Sequence, residues 1–438
     1  MKLREAFTGS GSKSPYASLQ KAAFTYPAID NHAHPLLQAK NRLDMPFEGI
    51  ISEAEGDALT TDALHTLACH RATRELAKLF GLPDGASWED VKGKRSELEY
   101  VDLCKRCFEP ARIQCILIDD GLGANNIVHG ISWHDQFTHS PARRVVRIEV
   151  IAQDILTEQF TQLSSPASVE DLAKALSSFA QKLGDTLTQC AADPFVVAFK
   201  SIVCYRTGMA VSLGPDATFS LGAESKAHPE LFAAYERVFA EYRGRAEVRL
   251  QEKLLNDYVV RAALKIAGNH KKPVQFHTGL GDSDITLALS SPAHLQPVIK
   301  AYPDTTFVLL HSSYPYTRDA GYLTAVYPNV FLDFGEIFPF VAGHGQRSVI
   351  RQVLELAPTN KIMWSTDGHF WPESYYLGTM QARQALCEVL SEIVHLGELS
   401  EPAAVQIIQN ALFHNANRVY RLGLEPYIKC IRSYPVFL

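Results

Sequence analysis

The chain has 438 residues, which at roughly 150 per domain suggests about three domains, although an α/β barrel can take such a length as one. Hydrophobic residues make up 46% and charged residues 21%, a globular balance that excludes wholesale disorder. The net charge is −6, the basic runs are no longer than Ala142-Arg143-Arg144 and its neighbours, and no stretch reaches the roughly 20 apolar residues of a membrane helix, so neither nucleic acid nor membrane is an expected partner. The eight cysteines are scattered through a large chain, which points to reduced thiols and a cytoplasmic setting.

Residues 1–23 read as an N-terminal arm, polar around Gly9-Ser10-Gly11-Ser12, without a secretory h-region, ending in a short lead-in helix. Strand candidates follow at Ala28–His34, Arg112–Asp119, Val145–Ile151, Phe195–Cys204, Pro273–His277, Thr305–His311, Val330–Phe334 and Lys361–Asp367. Each is short, rich in branched or aromatic residues, and bounded by turn formers. Helical periods lie between them. Ser168-Val-Glu-Asp171 has capping-box spacing before one such stretch. Leu231 to Ala267 reads as one long charged helix, and Arg347–Leu356 and Thr379–Leu396 as later ones.

Eight strands alternating with helices predict an α/β fold, a (β/α)8 TIM barrel spanning 24–430 as a single domain. A doubly wound open sheet is the competing architecture, but the chain has no Gly-rich phosphate loop. Segment 36–110 is too long for a simple connection and carries its own helical period (Leu64, Leu67, Ala68, Leu76, Leu79), so it reads as a helical insertion after strand 1, on the catalytic face.

The sixteen histidines are numerous for this length, and their placement carries the chemistry. Strand 1 ends in Asp30-Asn-His32-Ala-His34. Residues i and i+2 of a strand share a side, so both imidazoles can reach one metal ion. Strand 5 ends at His277, strand 6 at His311 and strand 8 at Asp367. The C-terminal strand ends of a barrel face one site, where these groups would form a metal centre with an open position for water. Lys200 lies inside an apolar strand 4 and needs either a carboxylate partner such as Glu336 or a changed chemistry, namely carboxylation by CO2 as a bridge between two metals. Arg206, beside Tyr205 at the exit of strand 4, suits a substrate carboxylate; Asp282 suits an amino group or a helix cap; His369, Trp371 and Glu373 follow Asp367 and can shape the pocket floor. His129, His134 and His139 lie on the loop after strand 2, where one can contact substrate. Cys104-Lys-Arg-Cys107 has no second pair at zinc-site spacing and reads as two ordinary thiols.

The order His-x-His, strand-4 Lys, strand-5 His, strand-6 His and strand-8 Asp resembles the amidohydrolase superfamily of metal-dependent barrels. Ile29-Asp-Asn-His-Ala-His-Pro35, Phe199-Lys-Ser-Ile-Val-Cys-Tyr-Arg206, Gln275-Phe-His-Thr-Gly-Leu-Gly-Asp282 and Ser365-Thr-Asp-Gly-His-Phe-Trp-Pro-Glu373 are similar to the amidohydrolase-like half of FluG-type proteins, without their glutamine-synthetase-like half. The resemblance implies a metal set of His32, His34, Lys200, His277, His311 and Asp367, holding one or two divalent ions, with zinc expected. It implies Asp367 and His311 as catalytic residues, Asp367 as proton acceptor and His311 as second-metal ligand or electrophile. Arg206, Tyr205 and His369 are the substrate-binding candidates. The implied reaction is hydrolysis of a C–N amide bond in a small amino-acid-like substrate such as a γ-glutamyl amide, with metal-dependent non-oxidative decarboxylation as the alternative. A small-molecule substrate and a homodimer complete the expectations.

Overall fold

The structure is a computed structural model describing residues 16–123, 126–163, 167–214, 228–242 and 245–428. Residues 1–15, most of the expected arm, lie outside the described residues, and the lead-in helix is Ala17–Thr25. All eight strand candidates contribute a strand: β1 Ala28–Ala33, β2 Ile113–Asp119, β3 Arg143–Arg147, β4 Val196–Ser201, β5 Val274–Phe276, β6 Phe307–Leu309, β7 Val330–Asp333 and β8 Ile362–Met363. They pair in parallel in the order β1 through β8. Backbone bonds from Asn31 N to Trp364 O (3.3 Å) and from Asp367 N to His32 O (3.0 Å) join the two edges, giving a nearly closed (β/α)8 barrel.

Two expectations need correction. The third strand was placed at Val145–Ile151, but β3 begins at Arg143 and a helix starts at Ile148, because Ile148, Ala152, Ile155 and Leu156 bury one helical face. The single helix expected over Leu231–Ala267 is two, Pro229–Tyr242 and Lys253–His270; the second opens on a cap in which the Glu252 carboxylate accepts from Leu255 N at 2.9 Å. Ser168 does cap its helix, its hydroxyl oxygen accepting from Asp171 N. Among the described residues no helix is long and apolar enough to cross a membrane.

Apolar side chains fill the lower barrel: Ile29, Leu117, Val145, Val308 and Met363 pack with Phe413 and Tyr420 of the closing C-terminal helices. Segment 36–110 carries the helices Leu67–Phe80, Trp88–Glu97 and Tyr100–Ala111, the last leading directly into β2. A buried ion pair, Arg95 Nε to Glu373 Oε1 at 2.6 Å, ties the segment to the helix that follows β8. Glu373 is therefore an anchor for the insertion. The Cys104 and Cys107 thiols are buried and pushed up by that burial, as suits structural cysteines.

His134 also holds loops together. Its Nδ1–H donates to Ile131 O at 3.0 Å and its Nε2 accepts from Leu36 N at 3.1 Å, which requires the neutral ring. Burial lowers its pKa from 6.5 to about 4. The unfolded chain therefore binds the extra proton between these values, so stability is full above about 6.5 and falls as the pH drops towards 4, by up to roughly 3 kcal/mol. Urea unfolding of the parent and of His134→Asn at pH 7 and pH 4.5 checks this. The stability gap between the two should shrink at the acid pH; a gap of equal size at both would show that His134 is not the responsible group.

Candidate metal centre

Three of the strand ends turn sharply to present a polar residue. His311, Glu336 and Asp367 all adopt positive φ (69°, 60° and 51°), a region that costs non-glycine residues of order 1–3 kcal/mol and that clusters at functional sites. Buried hydrogen bonds hold these turns. The Asp30 carboxylate accepts from Thr366 N at 2.8 Å and from the Thr366 hydroxyl, fixing the residue before Asp367. Asp333 accepts from Gly335 N at 2.9 Å and His311 N at 3.3 Å.

The strand-end residues gather into two buried groups. His32, His34 and Asp367 form one; His277, His311 and Glu336 form the other; within each, the candidate donor atoms lie within 4.8 Å of one another. In the first group the ring tautomers follow from the partners. His32 Nδ1 faces Gln275 Oε1 at 2.9 Å; the Gln275 amide nitrogen donates to Asn31 O and the Tyr420 hydroxyl, so Oε1 is the acceptor and His32 Nδ1 carries the proton. His34 Nδ1–H donates to the Asp119 carbonyl at 2.9 Å. Both Nε2 atoms then present lone pairs, each 3.3 Å from Asp367 Oδ1, which has no hydrogen-bond partner. Burial, followed by the Lys200 charge, lowers His32 to about 4 and keeps it neutral. Lys200 Nζ offers a hydrogen to His32 Nε2 at 2.9 Å, but Asp367 Oδ1 has no donor, and the three atoms converge where a cation can sit. The 3.3 Å separations also match the edge of about 3.4 Å expected between N/O donors around a tetrahedral ion bonded at about 2.1 Å. The donor set fits a divalent metal.

Support extends outward. Arg147 grips Asp119 at 2.7 Å; burial would raise that carboxyl, but the adjacent guanidinium outweighs it and holds the pKa low. His277 Nε2 donates to Leu280 O at 2.7 Å, leaving Nδ1 as its free donor atom, and the Tyr205 hydroxyl sits 3.1 Å from the same Nε2. Burial pulls His277 and His311 well below the usual imidazole range. Lys200 Nζ lies 2.9 Å from His32 Nε2, and burial lowers its pKa; among the described residues it makes no ion pair, so the expected pairing with Glu336 is absent.

The substrate candidates sit farther out. His369 Nδ1 donates to Asp367 O at 2.9 Å. Arg206, with a buried and unpartnered Nε, lies in the field of Arg249, Glu149, Arg147 and Asp284, at the rim rather than at the metal-binding atoms. Asp282 takes the capping role at one oxygen, accepting from Asp284 N at 2.9 Å. Two acidic residues were missed as site members. Glu336 had been weighed only as a lysine partner. Glu53 lies on an unpatterned stretch of the insertion that gave no signal; burial raises it to about 7, opposed by the His369 charge and reinforced by those of Asp367 and Asp282.

Comparison with known proteins agrees with the motif reading. Residues 216–422 match the family model described as Amidohydrolase. The chain is 41% identical over 424 residues to Protein fluG of Emericella nidulans, an alignment covering 94% of this chain and 47% of that protein. It therefore spans about half the length of the curated relative it matches. Among solved structures, one from Lactobacillus casei, provisionally described as a metal-dependent hydrolase, superposes with a TM-score of 0.74 at 23% identity, covering 92% of this chain and 97% of the other. A uronate isomerase from Thermotoga maritima gives 0.60 at 13% identity, over 94% and 99%. Both show the shared fold. The chain is thus similar over nearly its whole length to about half of Protein fluG, and its residues 216–422 are similar to the Amidohydrolase family.

Gln275 offers a direct check on the outer support. Gln275→Leu keeps the side-chain volume but strands His32 Nδ1–H, Asn31 O and the Tyr420 hydroxyl. Metal affinity, measured by competition with a chromophoric chelator, should fall about 10- to 100-fold. Unchanged affinity would show that His32 is oriented by other means.

Proposed function

We propose that this protein is an enzyme, a metal-dependent amidohydrolase that cleaves the C–N bond of a small amino-acid-like amide, with a γ-glutamyl amide as the preferred substrate. The observation that carries the reading is the buried convergence of three potential metal-ligand atoms, His32 Nε2, His34 Nε2 and Asp367 Oδ1, the last with no hydrogen-bond partner. The Amidohydrolase match favours hydrolysis over decarboxylation. A divalent ion, with zinc the first choice for a His/carboxylate set, would supply acidified water and a polarised carbonyl.

This chain's residues do the rest. Asp367 accepts the proton of the attacking water and delivers it to the leaving amine. With a single ion, His311 faces the oxygen of the amide and stabilises its developing charge. Tyr205 braces His277 through its hydroxyl. Lys200, uncompensated and lowered by burial, is the group that CO2 would carboxylate if two ions bind.

Specificity belongs to the mouth. A γ-glutamyl amide carries its α-carboxylate and α-ammonium several bonds from the scissile bond. Arg206 at the rim suits the first and the Glu53 and Asp282 carboxylates suit the second.

The test is release of the free amine from a panel of γ-glutamyl, β-aspartyl and simple acyl amides by the zinc-loaded chain. γ-Glutamyl amides should react fastest. Asp367→Asn should lower kcat about 1,000-fold or more, and Arg206→Met should raise KM about tenfold for substrates with an α-carboxylate and leave simple acyl amides unaffected. Full turnover by Asp367→Asn would overturn the mechanism, and no preference for γ-glutamyl amides would overturn the substrate assignment.

A further inference from the structure

Strand 3 also delivers a side chain to the catalytic face. In β3, Val145 packs inside the barrel, and residues two apart on a strand share a side, so Arg147 points inward one layer nearer the catalytic face. The register agrees. Arg147 pairs with Lys200 of β4, which pairs with Gln275 of β5, and both of those reach His32. Asp119 follows the inward Leu117 of β2 by the same step of two. Beyond the apolar plug the barrel thus carries a polar layer that includes Asp119, Arg147, Lys200 and Gln275.

Arg147 is only partly used. Its Nε and Nη2 each donate to Asp119 Oδ2, at 3.0 and 2.7 Å. A guanidinium has five N–H donors, so the two on Nη1 and the second on Nη2 stay unspent along its outer edge. That edge is not sealed. The Arg147 side chain keeps 10% of its surface accessible where Asp119 keeps none, and among the described residues no Arg147 nitrogen is both buried and unpartnered. Asp119 is held on its other oxygen by Gly121 N at 2.9 Å, which fixes the pair. A Cβ at Gly121 would come within 2.9 Å of Arg147 Nε, so glycine there leaves the guanidinium its room.

The surrounding charge is uneven. Among the described residues neither Lys200 nor Arg206 makes an ion pair, and Arg206 Nε is buried without a partner. Arg249 is taken by Asp284 at 2.6 Å. Glu149, the other carboxylate nearby, is fully buried; its Oε1 accepts from the Ser201 hydroxyl at 2.6 Å and from Ile202 N at 3.0 Å, and burial raises its pKa. Cations therefore prevail at the exits of β3 and β4, while Glu336 and Asp367 gather beyond β7 and β8. An anionic part of the substrate is drawn to the first side, where a free guanidinium edge matches a carboxylate bidentately.

We propose that the outer edge of Arg147, with Arg206 at the next strand exit, binds the carboxylate of the substrate, which makes Arg147 a specificity-determining residue supplied by strand 3. The inference rests on the proposed function and deepens it, because it adds a second guanidinium to the one assigned to the α-carboxylate. Arg147 then has two tasks on two edges: the inner holds Asp119 behind His34, and the outer reads the substrate.

The test is calorimetric titration of the zinc-loaded full chain with pairs of ligands that differ by one carboxylate. 4-Aminobutyrate is L-glutamate without its α-carboxylate, and β-alanine is L-aspartate without its own. The parent should bind L-glutamate about tenfold or more tighter than 4-aminobutyrate. Arg147→Lys keeps a charge for Asp119 but has no outer edge, and its ratio should fall to within about threefold. Circular dichroism and zinc content accompany each variant. The parent supplies a second measurement: L-glutamate, and not 4-aminobutyrate, should slow modification of Arg147 by phenylglyoxal, read by mass spectrometry. Equal weakening of both ligands with their ratio intact, loss of zinc from Arg147→Lys, or no protection of Arg147 would each overturn the subsite and leave Arg147 as a support for Asp119. A parent indifferent to the carboxylate in both pairs overturns the subsite too. An Arg147-dependent preference in the aspartate pair alone supports the subsite and overturns the γ-glutamyl assignment.

Discussion

Asp333 is the interaction on which the catalytic face depends. Its carboxylate is fully buried and accepts four hydrogen bonds, from Asn31 Nδ2 (2.7 Å), His311 N (3.3 Å), Gly335 N (2.9 Å) and the Ser365 hydroxyl (2.9 Å). Those donors belong to the ends of β1, β6, β7 and β8. Burial raises the Asp333 pKa to about 6, and the donated bonds act against that rise. Four strands that share only a parallel ladder could slide or twist independently at their tips. One carboxylate shared among them fixes their tips relative to one another, and His32, His311, Glu336 and Asp367 are neighbours in sequence of the residues it holds, or one of those residues themselves. Buried polar networks of this kind are worth having only when complete, because each missing donor leaves a desolvated oxygen behind.

A second chain of bonds supports the centre from below. Tyr420, on the closing C-terminal segment, donates to Asn31 Oδ1 at 3.0 Å and accepts from Gln275, which in turn accepts from His32. The last helices thus do more than plug the apolar base of the barrel. Through Gln275 they set the tautomer of His32, one of the candidate metal ligands. Asn31 lies in both networks, bonding Asp333 on one side and Tyr420 on the other, which couples the geometry of the two candidate metal groups.

The sequence made some of this legible and hid the rest for physical reasons. Short runs of branched or aromatic residues bounded by turn formers identified all eight strands, and the His and Asp residues at the ends of strands 1, 5, 6 and 8 are five of the six residues in the two groups, because burial and chemistry both operate at strand ends and leave a local pattern. Glu336 escaped as a member of these groups because it lies three residues beyond β7, where the pattern places no residue at a strand tip; it stands on a positive-φ turn directly after Gly335, whose N–H Asp333 holds. Glu53 gave no sequence signal because its surroundings are made by tertiary packing of the insertion, not by a local pattern. The third strand slipped because Val145–Ile151 is apolar enough for either a strand or the first turn of a helix, and packing on the barrel decided for the helix at Ile148. The long helix divided at a cap, Glu252, that amphipathic period alone does not reveal.

The result is a division of labour between parts of different rigidity. The candidate metal-binding atoms stand at or near strand ends locked by Asp333 and Asp30, where small displacements would break several buried bonds at once. The groups suited to substrate selection, Glu53, Asp282, Arg206 and His369, stand on loops and on the insertion, which is moored by the buried Arg95–Glu373 pair and by the bond from Ser283 to Glu55 at 2.9 Å. A change in the mouth therefore need not disturb the centre. That separation explains how barrels of one fold, some as little as 12–14% identical in sequence to this one, can differ in chemistry while keeping the architecture. It also separates the groups proposed for substrate choice from the strand-end histidines that make the site recognisable.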